Sequence, residues 1–196
     1  MANIRPYRET DKYNVQRICL QTVNDESVFE GLDRFNADFL LPVYNDYYTE
    51  QEPENCFVCT DENDTAVGYV ICSEDVKKWR KVFMKEYYPR IKHKHLGNRT
   101  TALAEIVAHS LFARRYPAHL HIDILREYRD GGTGTKLIET LADHLAKKGI
   151  CGIQLCVGNE NKKAIRFYKR CGFTLFSKIQ YKNKKFDKIK IKILFN

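Results

Sequence analysis

No stretch of this chain approaches the ~18–20 consecutive apolar residues that a membrane-spanning helix needs, so a bilayer-spanning helix is excluded. No internal repeat and no low-complexity linker is present, which removes solenoid architectures and tethered modules. The opening MANIRPYRETD lacks the apolar core of a secretory leader, so no signal peptide is expected there. Two phosphate-binding signatures are missing as well. A P-loop needs Gly-Lys-Ser/Thr, and Gly134-Thr135-Lys136 breaks that order; the dinucleotide fingerprint G-x-G-x-x-G does not occur. The cysteines, at 19, 56, 59, 72, 151, 156 and 171, are odd in number and mostly sit in apolar patterns. That argues for reduced, buried thiols in a cytoplasmic protein. Cys56 and Cys59 form a C-x-x-C inside the strand-like CFVC, with no second ligand pair. Core packing is therefore expected over zinc or redox use.

What remains fits one domain, residues 1–196, with 43% hydrophobic and 12% aromatic residues to build a core. Charge is unevenly placed. Residues 1–75 carry 5 Lys/Arg and 16 Asp/Glu, a net of −11; residues 76–196 carry 28 and 9, a net of +19. The basic part suits an anionic ligand, an acidic partner or nucleic acid.

The most informative stretch is AHLHIDILREYRDGGTG, residues 118–134. Leu120, Ile122 and Ile124 alternate with His119, His121 and Asp123, the period of a strand. A glycine turn follows. Then Leu137, Leu141 and Leu145 recur every four residues as one face of a helix that stops at Gly149. A strand, a glycine turn and a helix N-terminus make an anion cradle: the first helical N–H groups are unpaired, the dipole end is positive, and glycine lets a phosphate approach.

Around this stretch, residues 3–8 read as a strand that Pro6 confines to an edge. Asp11 is placed to cap a helix running to about Val23, with Val15, Ile18, Cys19 and Val23 inward. Residues 35–48 read as a second helix, kinked or divided by Pro42. CFVC and AVGYVI are strands joined at residues 61–64. Residues 74–115 are helical in pattern, with Trp79, Val82, Phe83 and Tyr87 in one segment and Leu103, Ile106, Val107, Leu111 and Phe112 in another. Trp79 and Tyr87 suit a core as well as the wall of a pocket. Residues 150–157 are a strand, Asn161 caps the next helix, and Gly172 ends it. Residues 173–181 and 186–195 are the last strands. The row Lys188, Lys190 and Lys192 reads as a solvated face; no aromatics are interleaved for base stacking, which argues against nucleic acid.

Arg129-Asp130-Gly131-Gly132-Thr133-Gly134 resembles R/Q-x-x-G-x-G/A, the coenzyme A pyrophosphate loop of the GNAT superfamily of N-acetyltransferases. Downstream, Val157, Asn161, Ala164, Phe167-Tyr168 and Gly172-Phe173 resemble the superfamily's V-x-x-x-N-x-x-A-x-x-F-Y-x-x-x-G-F segment. The opening IRPYRETDKYNVQRICLQT, residues 73–88 and the strand HIDI are similar to the acetyltransferase-like C-terminal domain of O-GlcNAcases and its free-standing bacterial relatives. The resemblance implies an α/β fold: a single GNAT-type domain with a mixed six- to seven-stranded sheet, helices on both faces, and residues 74–115 as a helical insertion before the central strand, lining the acceptor side. It implies acetyl-CoA as acyl donor, a small amine or peptide as acceptor, direct acetyl transfer, and no metal.

Residue by residue, the resemblance puts the pantetheine arm on the backbone of Ile122, Asp123 and Ile124, and beside Asn161. It puts the pyrophosphate on Arg129, Asp130, Gly131, Gly132, Thr133, Gly134 and Thr135. Asp130 places a negative charge there, and Gly131 stands where a basic residue is common. Tyr168 matches the tyrosine that protonates the leaving thiolate, and Asp123 an aspartate proposed as functional in the O-GlcNAcase-type domains. For the general base, Asp123, His119, His121 and a water all stay open, because strand parity alone does not show which face meets the acceptor. A metal on the H-x-H-x-D face lacks further partners. A non-catalytic acyl-CoA sensor or protein-interaction module is the alternative from another class, and monomer and homodimer both stay open.

Overall fold

The computed structural model describes residues 3–25, 37–91, 96–129, 131–158 and 161–174, and the strand residues 182–183, 186–187 and 189–194. For residues 23–25 and 96–98, and beyond 174, only the backbone is described. In chain order the elements are β1 (Asn3–Pro6), a 3-10 turn (Glu9–Asp11), α1 (Lys12–Asp25), α2 (Ala37–Tyr44), α3 (Asp46–Gln51), β2 (Cys56–Thr60) and β3 (Ala66–Ser73). Then come α4 (Val76–Val82), α5 (Leu96–Phe112), β4 (Ala118–Ile124), α6 (Thr133–Lys147), β5 (Ile153–Gly158), α7 (Lys162–Arg170), β6 (Lys182–Asn183), β7 (Phe186–Asp187) and β8 (Ile189–Leu194).

Six strands form one sheet in the order β1-β2-β3-β4-β5-β8, and β6 and β7 form a separate hairpin. Every pairing in the large sheet is antiparallel except β4 with β5. That parallel pair needs a crossover, which α6 supplies. β1 lies at the sheet edge, where Pro6 removes no ladder bond from an interior strand. β2 and β3 are buried along their whole length, as strands covered on both faces are.

The two faces are covered by different helices. His119 and His121 point to one face of β4, where they meet Tyr44 of α2, Tyr48 of α3, Trp79 of α4 and His109 of α5. Ile124 points to the other face, and α6 begins there: a Cβ on Gly134 would lie 3.5 Å from Ile124 Cδ1.

Several expectations are corrected. β1 ends at Pro6, two residues early, because the chain turns into the 3-10 turn. Asp11 does not cap α1. It closes that turn by accepting the Arg8 N–H (2.8 Å), and it holds the Arg5 guanidinium in a two-pronged pair (2.7 and 2.9 Å). Residues 37–51 form two helices divided at Asn45, three residues after Pro42; residues 35 and 36 lie outside the described residues. Pro42 has no N–H for the Asp38 carbonyl, so the ladder weakens on the turn before the break. The helix expected at residues 76–88 is α4 followed by a π-turn at Phe83–Tyr87 and a 3-10 turn at Tyr88–Arg90. The strand placed at 150–157 starts only at Ile153. Phe173 and Thr174 are not strand, and residues 175–181, Lys184, Lys185 and Lys188 lie outside the described residues. In α5, Leu103, Val107 and Leu111 are exposed, while Ile106 turns inward. All seven cysteines are free; Cys19, Cys56, Cys59 and Cys72 are buried and Cys151 is exposed.

Candidate active site

The site begins where β4 and β5 part. Their parallel ladder holds two pairs, Ala118↔Ile153 and His119↔Gln154, and then stops. β4 runs on to Ile124 along β3 and β5 runs on to Gly158 along β8, so the sheet splits between them. Ligands of α/β sheets bind at such carboxyl ends. Backbone direction follows from two bonds. The Leu125 N–H donates to Val67 in the β3 direction (2.9 Å), and the Ala118 N–H donates to Gly152 in the β5 direction (3.1 Å). Since direction alternates along a strand, Ile122 and Ile124 present their backbone groups toward the split. Asp123 does not: its position faces Tyr69 in the β3 ladder, so its backbone is not among those offered to the split.

The glycine turn closes this end. Arg129 folds back and donates from Nε to the Ile124 carbonyl (2.8 Å). Gly131 and Gly132 have φ of 82° and 81°, a region that side-chain-bearing residues rarely adopt. A Cβ at either would meet nothing within 4 Å, so open space lies above the turn. Gly132 is the N-cap of α6, and Thr133, Gly134 and Thr135 form its first turn. Among the described residues no side-chain cap satisfies this N-terminus, which suits it to an anion. Gly134 differs from the other two. A Cβ there would stand 3.0 Å from the Phe167 ring, so this glycine lets α7 pack against the start of α6. Asp130 lies outside the described residues. This arrangement suits a pyrophosphate-bearing ligand whose arm runs along β4.

On α7, Asn161 is the N-cap: its Oδ1 accepts the Ala164 N–H (2.9 Å). Tyr168 is the buried residue of this helix, with its ring against Phe167 and Phe173 (centroids 5.1 and 5.5 Å). Its carbonyl accepts the Phe173 N–H (3.0 Å), which fixes the turn at Gly172 beneath it.

The helix-covered face of β4 carries His119, His121 and Asp123. Tyr69 donates to Asp123 Oδ2 at 2.5 Å, a short, charge-assisted bond. Tyr48 Oη lies 2.8 Å from His119 Nε2 and 2.9 Å from His121 Nε2. A phenol has one proton, so it donates to one ring and accepts from the other. His119 Nδ1 is buried without a partner. An orphaned lone pair there costs less than an orphaned N–H, so His119 donates from Nε2 and Tyr48 donates to His121. Burial depresses both histidines: His119 falls well below 6.5, and His121 falls to about 3, helped by His109. Both rings are neutral at pH 7. His119 is fully buried, whereas His121 and Asp123 keep partial exposure.

These partners were missed in the sequence. Tyr48 and Tyr69 read as core aromatics, and only the packing of α3 on the sheet and the β3–β4 register bring them to β4. Trp79 and Tyr87 are buried, against Tyr47 at centroid distances of 6.5 and 5.5 Å.

Residues 24–173 match the family model of the acetyltransferase (GNAT) family. The chain belongs to this family.

Similarity extends to individual proteins. N-alpha-acetyltransferase 30 of Schizosaccharomyces pombe is 29% identical over 133 residues, 68% of this chain and 66% of that protein. Protein O-GlcNAcase of Rattus norvegicus is 24% identical over 90% of this chain and 20% of its own length. The chain thus spans less than two thirds of either relative. Among solved structures, SsHAT superposes with a TM-score of 0.79 at 25% identity, covering 98% of this chain and 96% of that one. The mixed six-stranded sheet flanked by helices is therefore the GNAT fold. The split between β4 and β5 and the glycine turn at α6 lie within the matched residues 24–173.

Proposed function

We propose that this GNAT-family chain transfers the acetyl group of acetyl-CoA directly to an amine. The observation that carries the reading is the split between β4 and β5 beside an uncapped helix N-terminus with open space over Gly131 and Gly132. The pyrophosphate would sit on the amides of residues 131–135, and the pantetheine arm would add to β4 at Ile122 and Ile124. That mode uses backbone groups which β5 has left. Asn161 borders the same split from the start of α7.

Three chemical tasks remain. The thioester must be held close to the amine, which gives an orientation advantage. The amine must lose a proton, and Asp123 takes that role in this reading. It is partly exposed and accepts a hydrogen bond from Tyr69. His121 is less available, because its Nε2 lone pair already accepts the Tyr48 hydroxyl. The departing thiolate must gain a proton, which Tyr168 supplies. The balance closes: the amine forms the new C–N bond, the C–S bond breaks, Asp123 holds the amine's proton, and the phenol proton moves to sulfur before solvent restores it. In this reading α4 and α5, which pack against His119 on the β4 face that also bears Asp123, would wall the acceptor side. The acceptor is a small amine or a peptide amine. Seven free thiols suit a reducing, cytoplasmic setting.

A panel of amines and peptides with acetyl-CoA, read by thiol release, tests the reading. Amine-dependent release of one thiol per acetamide is expected. Calorimetric binding of acetyl-CoA with no release across the panel would favour a non-catalytic acyl-CoA sensor. No binding at all would remove both readings.

A further inference from the structure

A second constellation lies beside the split and takes no part in the reading above. Glu105 and His109 stand four residues apart on α5, so they share a helix face. Cys156 reaches them from β5, two residues past the last pair of the parallel ladder. One potential ligand atom from each lies within 4.8 Å of the other two.

The hydrogen bonds around His109 settle its tautomer. Gln154 donates from Nε2 to the His109 and Tyr116 carbonyls (3.1 and 2.6 Å), which fixes its amide. Its oxygen then faces His109 Nδ1 at 3.3 Å, so Nδ1 carries the proton. The other nitrogen, Nε2, points its lone pair at Cys156 Sγ (3.5 Å) and Glu105 Oε2 (3.6 Å). Glu105 Oε2 is itself buried without a hydrogen bond. Cys156 and Tyr44 hydrogen-bond the Glu105 carboxyl, and one potential ligand atom each from Glu105, His109 and Cys156 converges on a single point. A tetrahedral ion with metal–sulfur near 2.3 Å and metal–nitrogen near 2.0–2.1 Å would hold its S and N ligands about 3.5 Å apart. The observed separation matches.

We infer that Glu105, His109 and Cys156 bind a zinc ion. One nitrogen, one carboxylate oxygen and one thiolate form a borderline-soft set that favours zinc over magnesium or calcium. Two anionic ligands and a neutral imidazole would make the loaded site electrically neutral, which suits a buried position. Gln154 supplies the outer-shell bond that metal-bound histidines use for orientation. The Glu105 side chain keeps 12% exposure and Cys156 is partly exposed. Three protein ligands leave a fourth position for water. The sequence hid this site: its ligands are spread over residues 105–156, and the metal candidates weighed in the sequence, the C-x-x-C at Cys56 and Cys59 and the H-x-H-x-D face of β4, lie elsewhere. The inference stands whether or not the chain acetylates amines.

The test uses the whole chain, stripped with chelator and reloaded with zinc or cobalt(II). One zinc per chain is expected to survive desalting. The cobalt form should show thiolate-to-metal charge transfer, and X-ray absorption of the zinc form should show one sulfur among nitrogen and oxygen ligands. Cys156→Ser should abolish the charge-transfer band, and Glu105→Gln should weaken zinc by about tenfold or more. Circular dichroism of the metal-free variants checks folding. A folded wild type that retains no zinc, a ligand shell with no sulfur or several, or a folded Cys156→Ser with undiminished affinity overturns the inference. Should both variants unfold, the wild-type cobalt and X-ray spectra decide.

Discussion

At the scale of the residue, Tyr168 and the glycines of the turn test the proposed chemistry and the proposed binding separately. Tyr168 is buried between Phe167 and Phe173, so its ring packs whatever its hydroxyl does. Tyr168→Phe should therefore keep the fold and the acetyl-CoA affinity while lowering kcat, by the ~10²–10⁴-fold typical of a lost proton donor. Unchanged kcat, with chemistry shown to limit turnover, would return Tyr168 to a packing role. Gly132 tests the other half. It is an αL N-cap under open space, so Gly132→Glu would strain the backbone and aim a carboxylate at the proposed phosphates. Calorimetry should find acetyl-CoA binding abolished while the circular dichroism spectrum stays native; retained binding would move the cradle elsewhere. The places of these residues in the fold, Tyr168 on α7 and Gly132 at the N-cap of α6, were legible because motif spacing, backbone chirality and capping are local properties. Sequence pattern did not suffice for Asp123. Its place on β4 was legible, but its partner Tyr69 comes from β3, and no spacing in one chain reports which strand lies alongside.

At the scale of the element, helix starts and strand cores were legible wherever one local signal decided them. Gly149 and Gly172, both with positive φ, end α6 and α7 as their positions predict. Boundaries moved where a long-range partner competed. Asp11 is the clearest case: a good N-cap residue by type, it is drawn instead to Arg5 of β1, and the helix starts without it. Asp75 shows the opposite outcome. It caps α4, accepting the N–H groups of Lys77 (2.7 Å) and Lys78 (3.3 Å). It is exposed, so no buried partner competes for its carboxylate. Asp75→Ala should cost about 1 kcal/mol of stability, the usual effect of a lost cap. Urea unfolding would show this as a lower midpoint at unchanged slope; Asp75→Asn should recover most of it. An Asp75→Ala midpoint equal to wild type would mean that tertiary packing alone holds the start of α4. The same logic explains α5. Its apolar pattern is wide, yet only Ile106 and its neighbours on that side meet the core, because α4 and β5 cover one flank and leave Leu103, Val107 and Leu111 exposed.

At the scale of the whole molecule, the fold gathers three histidines from two elements into one buried cluster. His109 of α5 lies 4.4 Å from His119 of β4, ring centre to ring centre, and His119 lies 6.1 Å from His121. Glu105, Cys156, Tyr44, Tyr48 and Gln154 surround them, and burial keeps all three rings neutral. His109 falls to about 4, His121 to about 3, and His119 well below 6.5. The unfolded chain has no such constraint, so below about pH 6.5 it binds protons that the folded chain refuses. Stability must then fall with pH in that window, by up to about 1.4 kcal/mol per pH unit for each ring. Two carboxyls oppose the trend. Burial raises Glu105 and Asp46, so the folded chain takes up their protons first and the loss should flatten in the lower part of the window. The chain already carries a formal +8, and each further proton on the unfolded state is easily solvated. Urea midpoints of the metal-free protein at steps from about pH 7 to pH 5 should therefore drop as the pH falls through about 6.5 and below. A midpoint constant across that range would show that the cluster opens to water or holds its protons in the folded state, and the neutral-ring assignment at Tyr48 would fall with it.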